Sequence, residues 1–213
     1  MPNRVSLTDV LSNPNQNNLL AAEELHELFS TYPKAKCYTL ELDVEKEYFE
    51  KWRRLLVEKN ERRGEVALFI ENDASEFLLH TKPFYPQGIY RVPTGGIHKD
   101  ESVLSAMNRE LLEETGFQPV SYQFHSLLIY DFRHDGDNIC FPSYAFHITP
   151  DGSMPIVSDE NEQISGFSWA SLTSLHDVVK LLFALRGSEW EDWGKMRAAP
   201  HEIFIGREKS LGS

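Results

Sequence analysis

The sequence predicts an α+β fold in which helices pack on the faces of a mixed β-sheet. Three observations carry that expectation. Segments of strand character dominate the middle of the chain, one helix interrupts them, and another closes the run. The order lacks the strict alternation of a doubly wound parallel sheet. With 213 residues, 41% hydrophobic and 25% charged, the chain can bury a core without disulfides or a structural metal.

Asn13 to Asn18, made of Asn, Pro and Gln, has nothing to bury and is expected to be a loop. Leu19 to Phe29 sets Leu20, Leu25 and Leu28 on one side with acids between them, a helical spacing. Cys37 to Leu42 alternates like a strand. Val44 to Glu61 reads as a charged amphipathic helix through Phe49, Trp52, Leu55 and Leu56, with Gly64 as its stop. Strands are then expected at Val66–Ile70, Phe77–His80 and Ile89–Val92, separated by Asn72-Asp73 and by Pro83, Pro86 and Gly88. A helix over Val103–Thr115 precedes two long strands, Phe124–Phe132 and Ile139–Ile148, joined by a turn at Asp135-Gly136-Asp137. Gly166–Ala170 is a short strand and Leu172–Leu185 a helix. The remainder carries Trp190, Trp193, Pro200 and an expected last strand, Glu202–Ile205. This divides the chain into an N-terminal extension (1–62), a central domain (63–187) and a C-terminal tail (188–213). The extension is expected either to pack on the core or to dock a partner, a homodimer included.

The formal net charge is −12, which disfavours nonspecific binding of nucleic acid or of an anionic membrane. An anionic substrate would then need local positive charge, which a divalent cation supplies. Cys37 and Cys140 form no CxxC or zinc-like spacing and are expected to be free and buried, as in a reducing compartment. The first 18 residues contain no apolar signal-peptide core. The most apolar run, Val178–Leu185, is short and interrupted by Lys180, so no membrane span is expected and the protein is predicted to be cytoplasmic.

The chemistry is concentrated between Gly95 and Phe117. Ser102 is a natural N-cap and Gly116 sits where a left-handed residue ends a helix. At about 100° per residue, Val103, Leu104, Met107 and Leu111 share one stripe. Glu110, Glu113 and Glu114 lie on an adjoining arc, bordering the buried stripe rather than opposing it. Each like-charged pair costs several tenths of a kcal/mol. The last turns of a helix disfavour anions by a further ~0.3–1 kcal/mol. Only Arg109, one turn before Glu113, compensates locally. Folding gains nothing from the pattern, whereas a hard cation such as Mg²⁺ wants these carboxylate oxygens.

Gly95, Glu101, Arg109, Glu110, Leu111, Glu113, Glu114, Gly116 and Phe117 fill every specified position of the Nudix box. A chance match is on the order of one in ten million at average residue usage. The chain therefore resembles the Nudix hydrolases, and the resemblance implies an α/β/α sandwich around a mixed sheet. It implies Mg²⁺, with Mn²⁺ as a substitute, held by Glu110, Glu113 and Glu114. Arg109 would brace the glutamates and Glu101 would support that geometry at the helix entrance, completing a catalytic set with Glu113. Gly95 and Gly96 would form a loop letting backbone approach a metal-bound diphosphate. The substrate would be a small-molecule nucleoside diphosphate derivative attacked by water at phosphorus. Thr94, His98 and Asp100 depart from commoner residues. Asp tolerates a left-handed turn, and His98 is either a phosphate contact or an exposed loop residue.

A further carboxylate outside the box is expected as base or extra ligand. Asp159-Glu160-Asn161-Glu162 precedes the strand at Gly166, with Glu162 the first choice and Glu160 the second. Arg91 either reaches a phosphate or sits exposed on a strand. Phe84, Tyr85, Tyr90, Tyr130 and Phe132 are candidate faces for a nucleobase, with core packing as the alternative for each. Spacing marks for ADP-ribose, diadenosine polyphosphate, coenzyme A and NADH hydrolases are absent, so the sequence leaves the substrate open. A nucleotide-binding regulator without turnover is the competing function; such regulators usually add a basic DNA-binding helix pair, against which the acidic balance argues.

Overall fold

Two long strands, β6 (Pro119–His134) and β7 (Asp137–Pro150), form the antiparallel hairpin on which the sheet is assembled. Asp135 and Gly136 connect them with φ of 48° and 89°, the left-handed pair that a two-residue hairpin turn requires. A computed structural model of the chain describes residues 1–13, 19–59, 61–152, 154–157 and 160–211, at 160 and 207–211 for the backbone alone. The loop expected at Asn13–Asn18 therefore lies, beyond Asn13, outside the described residues.

To one side of the hairpin, β2 (Lys36–Asp43) runs parallel to β6 and carries the short antiparallel β1 (Asn3–Val5). To the other, β3 (Arg62–Ile70) runs parallel to β7 and carries antiparallel β5 (Thr94–His98). The order is β1-β2-β6-β7-β3-β5, a mixed sheet as expected. A separate antiparallel ribbon joins β4 (Glu76–Thr81) to β8 (Gly166–Ser171).

Alternation along the strands sorts the core. Val66, Leu68, Ile70, Leu127, Ile129 and Phe146 face α4 (Val103–Thr115) and α2 (Ala22–Thr31), with Val10 of α1 (Leu7–Ser12) at the margin. On the opposite face, Leu128, Tyr130 and Phe132 meet α3 (Lys46–Arg53), while Ala67 and Phe69 meet β4 and α5 (Leu175–Phe183). α6 (Glu191–Leu211) spans both outer clusters through Met196, Ala199, Phe204 and Ile205. Helices on both faces make an α/β/α sandwich. Cys37 and Cys140 are buried thiols that are not joined in a disulfide. Among the described residues no helix is long and apolar enough to cross a membrane.

Four local expectations are corrected. The helix after β2 ends in a π-helical turn, Arg54–Glu58, and Gly64 lies inside β3 rather than stopping it. A Cβ at Gly64 would meet the Pro142 carbonyl at 2.8 Å, so close packing explains the glycine. Ile89–Val92 is not a strand: between Pro86 and Pro93, which have no N–H to give a ladder, it makes only one bridge, Arg91 to His80. Gly95 and Gly96 belong to β5, not to a loop. Glu202–Ile205 is helical, although Ile203, Phe204 and Ile205 favour strand locally. Tertiary packing decides it. Pro200 cannot donate to the Met196 carbonyl one turn back, and the Tyr130 hydroxyl donates to that oxygen instead, at 2.8 Å. The polar first residues also hide β1 and α1; Ser6 and Asp9 form a capping box there.

α6 is thereby part of the core. Phe204 stacks on Phe69 with centroids 4.0 Å apart and meets Phe77 edge-on at 5.1 Å. Phe204→Ala is expected to cost about 3–5 kcal/mol in urea unfolding; a loss near zero would mean that the helix is not docked. His201 accepts from the Val92 N–H through Nε2 (3.2 Å) and bonds the Arg197 carbonyl through Nδ1 (2.9 Å), so it is the neutral Nδ1–H form. Burial, with Arg91 and Arg197 nearby, pushes it down to about 4. The unfolded chain takes up the proton first, so stability is full above pH 6.5 and falls, by up to about 3 kcal/mol, as pH drops toward 4. His201→Gln should flatten the melting-temperature profile across that window; an unchanged slope would assign it to other groups.

Candidate metal centre and substrate cleft

The termini of α4 follow its sequence. Ser102 Oγ accepts from Ser105 N–H at 3.1 Å, and Gly116 closes the helix at φ 72°. Val103, Met107 and Leu111 are fully buried, which carries the neighbouring acids to the rim of the core: Glu110 and Glu114 are buried and Glu113 is half-buried.

Arg109 ties these acids together. Its Nε and Nη2 hold both oxygens of Glu101 (2.8 and 2.9 Å), and Nη1 holds Glu110 and Glu113 (2.8 Å each). Its last N–H reaches the Gly96 carbonyl at 2.8 Å, so all five guanidinium donors are engaged. Burial pushes the Glu101 carboxyl up, but the bonds from Arg109 and the His98 N–H outweigh it and hold it below the usual range. His98 itself is exposed at the end of β5, and Asp100 needs no left-handed backbone. Gly95 is required by close approach: a Cβ there would lie 1.7 Å from Glu110 Cδ.

Glu162 reaches the same place from a short 3₁₀ turn, Glu160–Glu162. Carboxylate oxygens of Glu110, Glu113 and Glu162 lie within 4.8 Å of one another. Asp159 and the Glu160 side chain are outside the described residues. Glu114 stands beneath this trio, fully buried, its two oxygens without a hydrogen-bond partner. Lys82 and His80 approach to 3.7 Å each. Burial pushes Glu114 up to about 8 against the pull of Arg91 and Lys82, and burial holds His80 neutral, well below its ordinary range. A divalent cation fits this donor set: hard oxygen ligands converge, and a buried carboxylate has unused lone pairs.

Two of these acids, Glu110 and Glu162, line a cleft of about 240 Å³. Lys82, Arg91, Arg62 and Arg197 bring positive charge to it, and Phe84, Tyr85 and Trp193 bring aromatic surface. Lys82 pairs with Glu162 at 3.0 Å, and Arg197, from α6, pairs with Glu65 at 2.7 Å. Arg91 is buried, not exposed on a strand; it bonds the Tyr85 hydroxyl, the Val92 carbonyl and Thr94.

The family model of the NUDIX domain matches residues 61–193, more than half of the chain. The chain belongs to the Nudix family. As a Nudix hydrolase it acts on phosphoric anhydrides, in general those of nucleoside diphosphate-linked compounds. Solved structures similar to it include MutT of Aliivibrio salmonicida and Vibrio cholerae, at 26% identity over 54% of this chain and 83% of that one, TM-score 0.40. An Ap4A hydrolase of Caenorhabditis elegans follows at 18% identity over 69% and 98%, TM-score 0.45. MutT of Bacillus halodurans is 19% identical over 54% and 71%, TM-score 0.45.

Of the Nudix residues expected from sequence, Glu101, Arg109, Glu110, Glu113 and Glu162 come together, with Glu114 one layer below. Gly95, Gly96 and Arg91 line the cleft. Tyr130 and Phe132 do not; both are buried in the core. Tyr90 packs partly buried against the outer cluster of Ala67, Phe69 and Phe77. Lys82, Arg62, Arg197 and Trp193 were not foreseen, because single cations and a lone Trp on separate elements show no periodicity. Gly95→Ala is expected to displace Glu110 and lower kcat by about a hundredfold. The nearest atoms to a Cβ at Gly96 belong to the flexible Arg62 side chain, at 2.6 Å, so Gly96→Ala should be milder. Wild-type turnover in Gly95→Ala would show that β5 does not fix Glu110.

Proposed function

We propose that the protein hydrolyses the diphosphate linkage of a small-molecule nucleoside diphosphate derivative, with Mg²⁺ as its cofactor and Mn²⁺ as a substitute. One observation carries this reading: the cleft that Glu110 and Glu162 of the carboxylate cluster line is also lined by four cationic side chains and by aromatic rings. A chain of net charge −12 can receive an anion only where its charge is locally reversed.

Glu110, Glu113 and Glu114 would hold the cation, with Glu162 at hand. When bound, the cation supplies charge neutralisation at the diphosphate and a more acidic water. The other work falls to the chain. Arg109 has no spare N–H, so it sets the carboxylates and does not bind phosphate. Arg91, Lys82 and Arg62 are available to phosphate oxygens, and Tyr85, Phe84 and Trp193 offer faces to a base or sugar. Glu162, on a turn rather than on α4, takes the proton from the attacking water.

The test is turnover on a panel of nucleoside diphosphate derivatives with Mg²⁺, followed by coupled phosphate release. Tight binding of one compound with turnover of none would favour a regulator. Glu110→Gln and Glu114→Gln should each lower kcat by at least about a hundredfold, near 2.7 kcal/mol of transition-state stabilisation, with folding retained. Full activity in either would place the metal elsewhere. Glu162→Gln should lower kcat comparably yet leave Mg²⁺ affinity nearly unchanged. An affinity loss matching that of Glu110→Gln would make Glu162 a ligand and not the base.

A further inference from the structure

The N-terminal end of α4 is held by a residue from far outside the matched domain. A helix leaves its first N–H groups without intrahelical partners. Ser102 serves Ser105, and the Val103 N–H donates to Oε1 of Glu24 at 2.6 Å. Glu24 lies on α2, whose Leu25 and Leu28 are buried in the same cluster as Val103 and Met107. Its other oxygen pairs with Arg63 Nη2 at 2.7 Å. Arg63 in turn donates through Nε (3.0 Å) and Nη2 (2.7 Å) to the Glu101 carbonyl. The Glu101 side chain then grips Arg109, which spans Glu110, Glu113 and the Gly96 carbonyl.

We infer that Glu24 is a positioning residue of the metal centre: it fixes the start of α4 and, through Arg63 and Glu101, the placement of Arg109 and the acids. Two features suit it to the task. A carboxylate at a helix N-terminus meets the positive end of the dipole, and its bonds to a guanidinium and an N–H are charge-assisted. Both partners are also largely withdrawn from water, with Glu24 20% and Arg63 13% exposed at the side chain, so the link is poorly screened. α4 needs such an anchor because its other end carries like charges that oppose the helix dipole. The N-terminal extension is then part of the machinery that holds the site.

The inference rests on α4 being the metal helix, and the experiment separates the two. In the full chain, Glu24→Ala removes both bonds, Glu24→Gln keeps an acceptor for Val103, and Glu23→Ala, at an exposed position of the same helix, is the control. Mn²⁺ affinity without substrate, measured by electron paramagnetic resonance, should weaken about tenfold in Glu24→Ala and recover in part in Glu24→Gln. kcat should fall with it while KM stays nearly constant. Amide exchange at Val103 should rise in Glu24→Ala whether or not metal is present. Unchanged Mn²⁺ affinity in a folded Glu24→Ala, or unchanged exchange at Val103, overturns the role of Glu24. A wild-type chain that binds no Mn²⁺ overturns both readings, while Mn²⁺ binding without turnover sinks only the hydrolytic one.

Discussion

The guanidinium of Arg109 is the point from which the rest of the site is measured. Its five donors are spread over Glu101, Glu110, Glu113 and a backbone oxygen of β5, so one planar group sets the spacing of three acids and their distance from the sheet. Without it, Glu110 and Glu113 on the C-terminal turns of α4 would repel and splay. Gly95 completes the constraint from the other side, since its missing side chain is the space that Glu110 occupies. Helix and strand are fitted to each other around charge.

The positive wall is built by different means. Lys82 follows β4, Arg91 belongs to an irregular segment pinned between β4 and α6, and Arg197 comes from α6 itself. They come from separate segments of the chain. Arg197 is held against Glu65 of β3, which also accepts from Ser143 of β7, so the outer helix is joined to the sheet by a mostly buried ion pair. Removing one partner of such a pair would strand a charge away from water. α6 is therefore both a wall of the cleft and a pillar of the core.

How much of this was legible follows from where each signal resides. α4 could be read to the residue because the acid spacing lies within it and Ser102 and Gly116 cap its two ends. The hairpin turn was legible because Asp135-Gly136 carries its own backbone preference. α6 was not: Ile203-Phe204-Ile205 favours strand, and the bond that rescues the helix around Pro200 comes from Tyr130, which no local pattern reveals. The acids of the site were legible through the box, and Glu162 through its place before β8. The cations were not, since their common direction exists only after β4, β5 and α6 have packed. Glu24 was invisible for the same reason, as its partner Val103 is distant in sequence.

The sheet topology also bears on synthesis, since the chain leaves the ribosome N-terminus first. β2 and β3 are made early, yet each pairs in parallel with a strand made much later: Cys37 waits for Leu127, and Glu65 waits for Ser143. Contacts so far apart carry a large closure entropy, whereas β6 and β7 meet across a two-residue turn. The two halves of the sheet are thus joined only when the hairpin between them has emerged. Until then their unpaired strand edges stand open to other chains.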